Sequence, residues 1–220
     1  MKDIKIKNIH LIIFDLDGVL IDSAPAIVQT MNHALAGYGY LPLDERTILP
    51  FVGTPLDRIF RALVPGASEE RVSELMHSFR EHYLKVGVMH TIFLPGADEL
   101  IPKLASAKKL AVATNKDGRA ARQLFAHYNM DSYFDLILGC TDVGYSKPHP
   151  EMINAILRRL EVRPENAAMV GDTIFDIEAG KAAHTRTIGI TTGTHSREEL
   201  AAAHPTLIID SLGELLEMVL

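Results

Sequence analysis

Asp15 and Asp17 stand two residues apart in Asp15-Leu16-Asp17-Gly18, directly after an apolar run. A second acidic pair, Asp172 and Asp176, follows another apolar run in the stretch GDTIFD. Thr114-Asn115-Lys116 closes a third run, and Lys147-Pro148 lies between. Residues i and i+2 leave a strand on the same side. Two carboxylates so placed repel each other, and a divalent cation relieves the repulsion. Three acids without a Cys or His cluster suit a hard, oxygen-loving cation such as Mg²⁺. One carboxylate can then attack phosphorus and carry an aspartyl-phosphate. The other can protonate the leaving oxygen and later deprotonate water. Asp172 reads as the distal metal ligand, and Asp176, one helical turn later, as a support for Lys147 or a metal-bound water. The Thr114 hydroxyl and the next backbone N–H, that of Asn115, suit phosphate oxygens at a helix start. Lys147 would spread the negative charge of the transition state.

Each pattern also has a plain structural explanation. Asp17-Gly18 can be a solvated turn, Asp172 and Asp176 can cap a helix, and a lysine is by default exposed. By average residue usage, DxDG arises in about one in fifteen chains of this size and GDxxxD in about one in twenty. The order of the patterns and their positions after strands decide in favour of chemistry.

The elements that must hold these residues are short apolar runs at 9–14, 110–113, 136–138, 167–170, 187–190 and 206–209. Their length suits buried parallel strands. Helical stripes lie between them, at Leu100, Ile101 and Leu104, at Ala121, Leu124, Phe125 and Tyr128, and at Ile153, Ile156, Leu157 and Leu160. This alternation predicts a Rossmann-like α/β fold, a doubly wound parallel sheet, whose ligands bind at the carboxyl ends of the strands. The stretch 22–90 breaks the rhythm with helical spacing only, through Ile27, Met31 and Leu35, Ile59, Phe60 and Leu63, and Leu75, Phe79 and Tyr83. It reads as an inserted α-helical cap, with Ser23 as the N-cap of its first helix. The catalytic core then comprises 1–21 and 91–220, the chain returning to the sheet through 91–96 with Pro95-Gly96 as a turn.

The 220 residues suit one domain with an insert. A formal charge of −6 disfavours a general nucleic-acid binder. Cys140 is the single cysteine, so no internal disulfide forms, which suits a cytoplasmic protein. The start is not read as a signal peptide, and no apolar stretch approaches the ~18 residues of a membrane span. A monomer or a homodimer is equally compatible with the sequence.

In this order, these residues resemble the haloacid dehalogenase-like hydrolase superfamily. DLDGVLIDS is similar to its first motif, TNK to its second, the lysine of SKPHP to its third and GDTIFDIEAGKAA to its fourth. The resemblance covers essentially the whole chain and implies a mobile lid and an Mg²⁺ cofactor. It implies Asp15 as nucleophile and Asp17 as acid and base. Mg²⁺ would be held by the Asp15 carboxylate, the Asp17 backbone carbonyl and Asp172, with Thr114 and Lys147 on the phosphoryl group. DSAP, VGTPL and TNKDGR are most similar to phosphoglycolate phosphatases and related pyrophosphatases. His184 stands where the fourth motif usually has Gly, at a left-handed turn.

The expected substrate is therefore a small phosphorylated metabolite such as 2-phosphoglycolate. The alternatives are an inorganic pyrophosphatase, a β-phosphoglucomutase-type sugar-phosphate mutase and, least favoured, a non-enzymatic phospho-acceptor. Arg58, on a helix after the cap loop Val52-Gly53-Thr54-Pro55, is the candidate for a substrate carboxylate. His149, His184 and His195 near the same edge read as structural or exposed, and Cys140 as a packed thiol rather than a nucleophile.

Overall fold

The computed structural model describes residue 6 and residues 8–219; the expected core residues 1–5, 7 and 220 lie outside that set. Strand β1 (Leu11–Phe14) is apolar at all four positions and fully buried. Its alternate side chains serve two cores, as the pleat requires. Ile12 and Phe14 pack with helices α5 (Ala97–Ala105), α6 (Gly118–His127) and α10 (Leu212–Val219). Leu11 and Ile13 pack on the other face with α7 (Glu151–Leu160) and α8 (Ile174–Ala182). Each large side chain so buried contributes about 1.5–3 kcal/mol.

Around β1 lie β4 (Lys109–Thr114), β5 (Leu136–Gly139), β6 (Ala167–Gly171), β7 (Arg186–Ile190) and β8 (Leu207–Ile209). Together they form a six-stranded parallel sheet in the order β5-β4-β1-β6-β7-β8. The doubly wound α/β architecture is therefore observed, and each expected strand is present within two residues of its expected bounds. The order reverses at β1, between β4 and β6, and this switch point opens a crevice at the strands' carboxyl ends. α9 (Arg197–Ala202) completes the outer layer between β7 and β8.

Helices α1 (Ala24–Gly37), α2 (Glu45–Ile48), α3 (Leu56–Leu63) and α4 (Glu69–Val86) follow β1 and share a cluster of their own around Met31, Leu35, Phe60 and Leu75. Ala120 of α6 joins that cluster, and Gln123 Nε2 donates to the Leu84 carbonyl at 3.1 Å. The inserted helices thus sit against the first turns of α6, over the ends of β1 and β4.

Two local expectations are corrected. The chain enters and leaves the helical insert through a two-residue antiparallel pair, β2 (Ile21–Asp22) with β3 (Ile92–Phe93). Residues 91–96 therefore return to this small ribbon and not to the main sheet. Ser23 does not cap α1 with its side chain. Its hydroxyl donates to the Asp17 carboxylate, a stronger charge-assisted bond. Asp22 Oδ1 instead accepts from the Ala24 N–H at 3.0 Å. His184 retains the left-handed turn, with φ of 60°, so the turn survives the loss of glycine.

Candidate active site

The sheet delivers its reactive groups by ending. Asp15 is one residue beyond β1, held in line by its N–H donating to the Val170 carbonyl of β6 at 2.8 Å. Asp172 is one residue beyond β6, and Thr114 is the last residue of β4. Asp176 occupies the first turn of α8. There its Oδ2 accepts from the Thr173 N–H at 3.0 Å and the Thr173 hydroxyl at 2.7 Å. The capping explanation therefore holds for Asp176, and its other oxygen is left to meet Lys147.

Lys147 is the centre of the cluster. Its Nζ lies 2.5 Å from Asp176 Oδ1 and 2.9 Å from Asp15 Oδ1. With 1% of its surface exposed, the ammonium faces carboxylates and not bulk solvent. Burial works against its charge, but Asp15 and Asp176 outweigh burial and hold it protonated well above the ordinary lysine range. Burial pushes Asp15 up to about 6, against the pull of Lys147. Burial raises Asp172 as well, reinforced by the charges of Asp176 and Asp15.

Asp15, Asp172 and Asp176 each present an oxygen within 4.8 Å of the others, and all three are buried. The set fits a divalent cation for a specific reason. Asp172 Oδ1 is buried with no hydrogen-bond partner, and Asp15 Oδ1 has only the ion-pair contact with Lys147. One ammonium does not neutralise three carboxylates, and a hard cation takes oxygen ligands of this kind. Two glycines let the chain close on Asp172. A Cβ on Gly18, whose φ is +77°, would meet Asp172 Oδ2 at 2.6 Å, and one on Gly193 would meet it at 2.0 Å. The Thr194 N–H donates to the same oxygen at 2.7 Å.

Asp17 faces elsewhere. β1 ends at Phe14 and the chain turns, so the Asp17 carboxylate does not join the three-acid group as strict alternation predicts. It accepts from Ser23 and pairs with Lys116 Nζ at 2.9 Å. Lys116 in turn lies 4.3 Å from the ring centre of Tyr83 on α4, a cation–π contact. The Asn115 side chain is a brace. Its Oδ1 accepts from the Lys147 N–H at 3.0 Å, while Nδ2 donates to the carbonyls of Lys147 and Gly53 at 3.3 and 3.0 Å. Its side-chain amide is thus engaged by protein.

Between this edge and the inserted helices lies a cavity of about 60 Å³. Asp17, Thr114 and Lys116 line it from below, and Val52, Thr54, Phe79, Arg80 and Tyr83 from above. Arg58 is not among them. It is exposed and lines a separate groove with Tyr145 and His149. The cap arginine at the cavity is Arg80, which the sequence reading missed. Its signal is a cation four residues after Met76, on the flank of the apolar stripe of α4. Lys116 lies within the second motif, but neither of its partners is close in sequence.

His195 is structural, its Nδ1 accepting from the Ile174 N–H at 3.0 Å, and His149 packs at a tilt against Tyr145 in the outer loop. Cys140 borders the cavity as a packed thiol whose pKa burial pushes up.

A buried lysine bridging a strand-end aspartate and a helix-start aspartate, beside a second strand-end aspartate, at the switch point of a doubly wound sheet marks an acid-centred hydrolase. The chain belongs to the haloacid dehalogenase-like hydrolase family, whose sequence profile matches residues 12–190. It is 36% identical over 211 residues to the probable phosphatase IndB of Dickeya dadantii, covering 93% of this chain and 91% of that one. It is 32% identical to the pyrophosphatase PpaX of Anoxybacillus flavithermus over 217 residues, with 96% and 97% covered. It is 31% identical to the phosphoglycolate phosphatase of Salmonella typhimurium over 234 aligned positions, with 96% and 93% covered. The chain is thus an enzyme of the hydrolase class, and these relatives carry phosphatase names.

Proposed function

We propose that this chain is an Mg²⁺-dependent phosphatase that hydrolyses a small phosphorylated metabolite, a 2-phosphoglycolate-like monoester, through an aspartyl-phosphate on Asp15. The observation that carries this reading is the buried cluster of three carboxylates around Lys147, with Asp172 Oδ1 left without a partner. Asp15 and Asp172, with the Asp17 backbone carbonyl, would hold Mg²⁺, which when bound offsets the charge of the phosphoryl oxygens.

The chain's own groups do the rest. A carboxylate oxygen of Asp15 attacks phosphorus, and the bond to the leaving oxygen breaks. Lys147 faces the Asp15 carboxylate and stabilises the charge that gathers on the phosphoryl group. Thr114, at the end of β4, offers its hydroxyl to a phosphoryl oxygen. Asp17, entering the step as the carboxylic acid, gives its proton to the departing oxygen. It then takes one from the water that attacks the acyl phosphate, releasing phosphate and restoring Asp15. The inserted helices over the cavity exclude bulk water and select the leaving group.

The similarity to PpaX favours a second reading, in which the leaving group is itself phosphate. The lone thiol Cys140 fits a cytoplasmic setting. Among the described residues no helix is long and apolar enough to cross a membrane.

Ranking kcat/KM over phosphorylated metabolites and pyrophosphate separates the two readings. Asp15→Asn is expected to lose Mg²⁺-dependent phosphate release while keeping its melting transition. Undiminished turnover by that variant would reject the nucleophile.

A further inference from the structure

The cavity beside Asp17 contains one cation that nothing among the described residues neutralises. Lys116 is committed to Asp17 and to the face of Tyr83. Arg80, projecting from α4 and half-buried, lines the same space with its guanidinium beside the Cys140 thiol. Among the described residues no carboxylate lies within ion-pairing distance of Arg80; Arg46, Arg58, Arg158, Arg159, Arg163 and Arg186 also lack one, but those six are exposed. A half-buried guanidinium is costly to leave without an anion, and its planar fork is shaped for a carboxylate or phosphate.

The position is specific. Thr114 and Asp17 form the cavity's floor, so a phosphoryl group at Asp15 would direct its leaving group into this space. We propose that Arg80 is the specificity residue of this site and binds a second anionic group, carboxylate or phosphate, carried by the leaving group. The inference rests on the phosphatase reading above and narrows its substrates to doubly anionic ones. It assigns to Arg80 the role that Arg58 does not occupy.

The test is calorimetric titration of the full chain, in excess Mg²⁺, with three phosphonates the enzyme cannot hydrolyse. 3-Phosphonopropionate carries a carboxylate and methylenediphosphonate a phosphonate, while propylphosphonate has a methyl group in that place. The wild-type chain is expected to bind at least one doubly anionic probe about 10–100-fold tighter than propylphosphonate. The preferred probe tells carboxylate from phosphate. Arg80→Gln should bring that ratio to within about threefold of unity, and Arg80→Lys should retain part of it.

A wild-type chain without the preference overturns the assignment. So does either variant that keeps the full ratio with an intact melting transition. Because the probes are stable, a chain that discriminates among them without turning over phosphomonoesters loses the proposed function and keeps this inference. A chain that turns over without discriminating does the reverse.

Discussion

Lys147 stays charged in the interior because Asp15 and Asp176 hold a proton on it, and those two tolerate burial because Lys147 faces them. Removing one member of such a group leaves the others exposed to the low dielectric around them. Lys147→Ala is therefore expected to abolish activity and also to cost about 3–5 kcal/mol of stability, read by urea denaturation of the metal-free protein. Asp15→Asn removes one of three crowded carboxylates and should cost far less. A Lys147→Ala variant as stable as wild type would show that the ammonium is not the group holding these acids together. Asp15, Asp17, Thr114, Asp172 and Asp176 were legible as candidates because each ends or follows a strand or opens a helix, and Lys147 from its place in order between them. Asp17 shows the limit. Period-two alternation places it beside Asp15, but the strand ends first and the turn sends its carboxylate to Lys116.

At the scale of elements, Asn115 joins three pieces of chain that no secondary structure connects. It stands just past the end of β4, holds the backbone on both sides of Lys147, and reaches the Gly53 carbonyl in the loop before α3. Asn115→Ala leaves these backbone groups unpaired in a nearly dry place, at about 1–3 kcal/mol each. The loop that presents Lys147 and the loop that roofs the cavity should loosen together. The expected result is a kcat reduced about tenfold or more, with faster amide exchange at both 51–54 and 145–149. Exchange unchanged at one of the two loops would show that the amide does not link them. The strands and long helices were readable from apolar spacing. The β2–β3 pair was not, because two residues per strand give no period to detect.

For the whole molecule, burial and cation binding oppose each other through pH. Asp15 titrates at about 6 in the folded chain against 3.8 when free, so the native state holds an extra proton between those values. The metal-free protein therefore loses this contribution as pH rises through 6. A cation that binds the ionised carboxylate restores it, in competition with the proton. Reaching a given rise in Tm should take about tenfold more Mg²⁺ near pH 5 than near pH 7. Thermal melts across an Mg²⁺ series at both pH values check this, and an equal requirement at both would show that Asp15 does not bind the cation.

The sequence by itself determined the sheet, the helical insert, the family resemblance and the acids that could do chemistry. These depend on local pattern: apolar runs of strand length, helical spacing, and acids at fixed offsets after them. It could not determine which face of a helix meets the core. Arg58 and Arg80 are both arginines beside an apolar stripe, and only the packing of α4 over β4 and α6 brings the second to the cavity and leaves the first in solvent. Nor could it foresee Gly193 and Thr194 closing on Asp172, or Tyr83 covering Lys116. Those contacts join residues far apart in the chain, and they follow from the fold rather than from any local pattern.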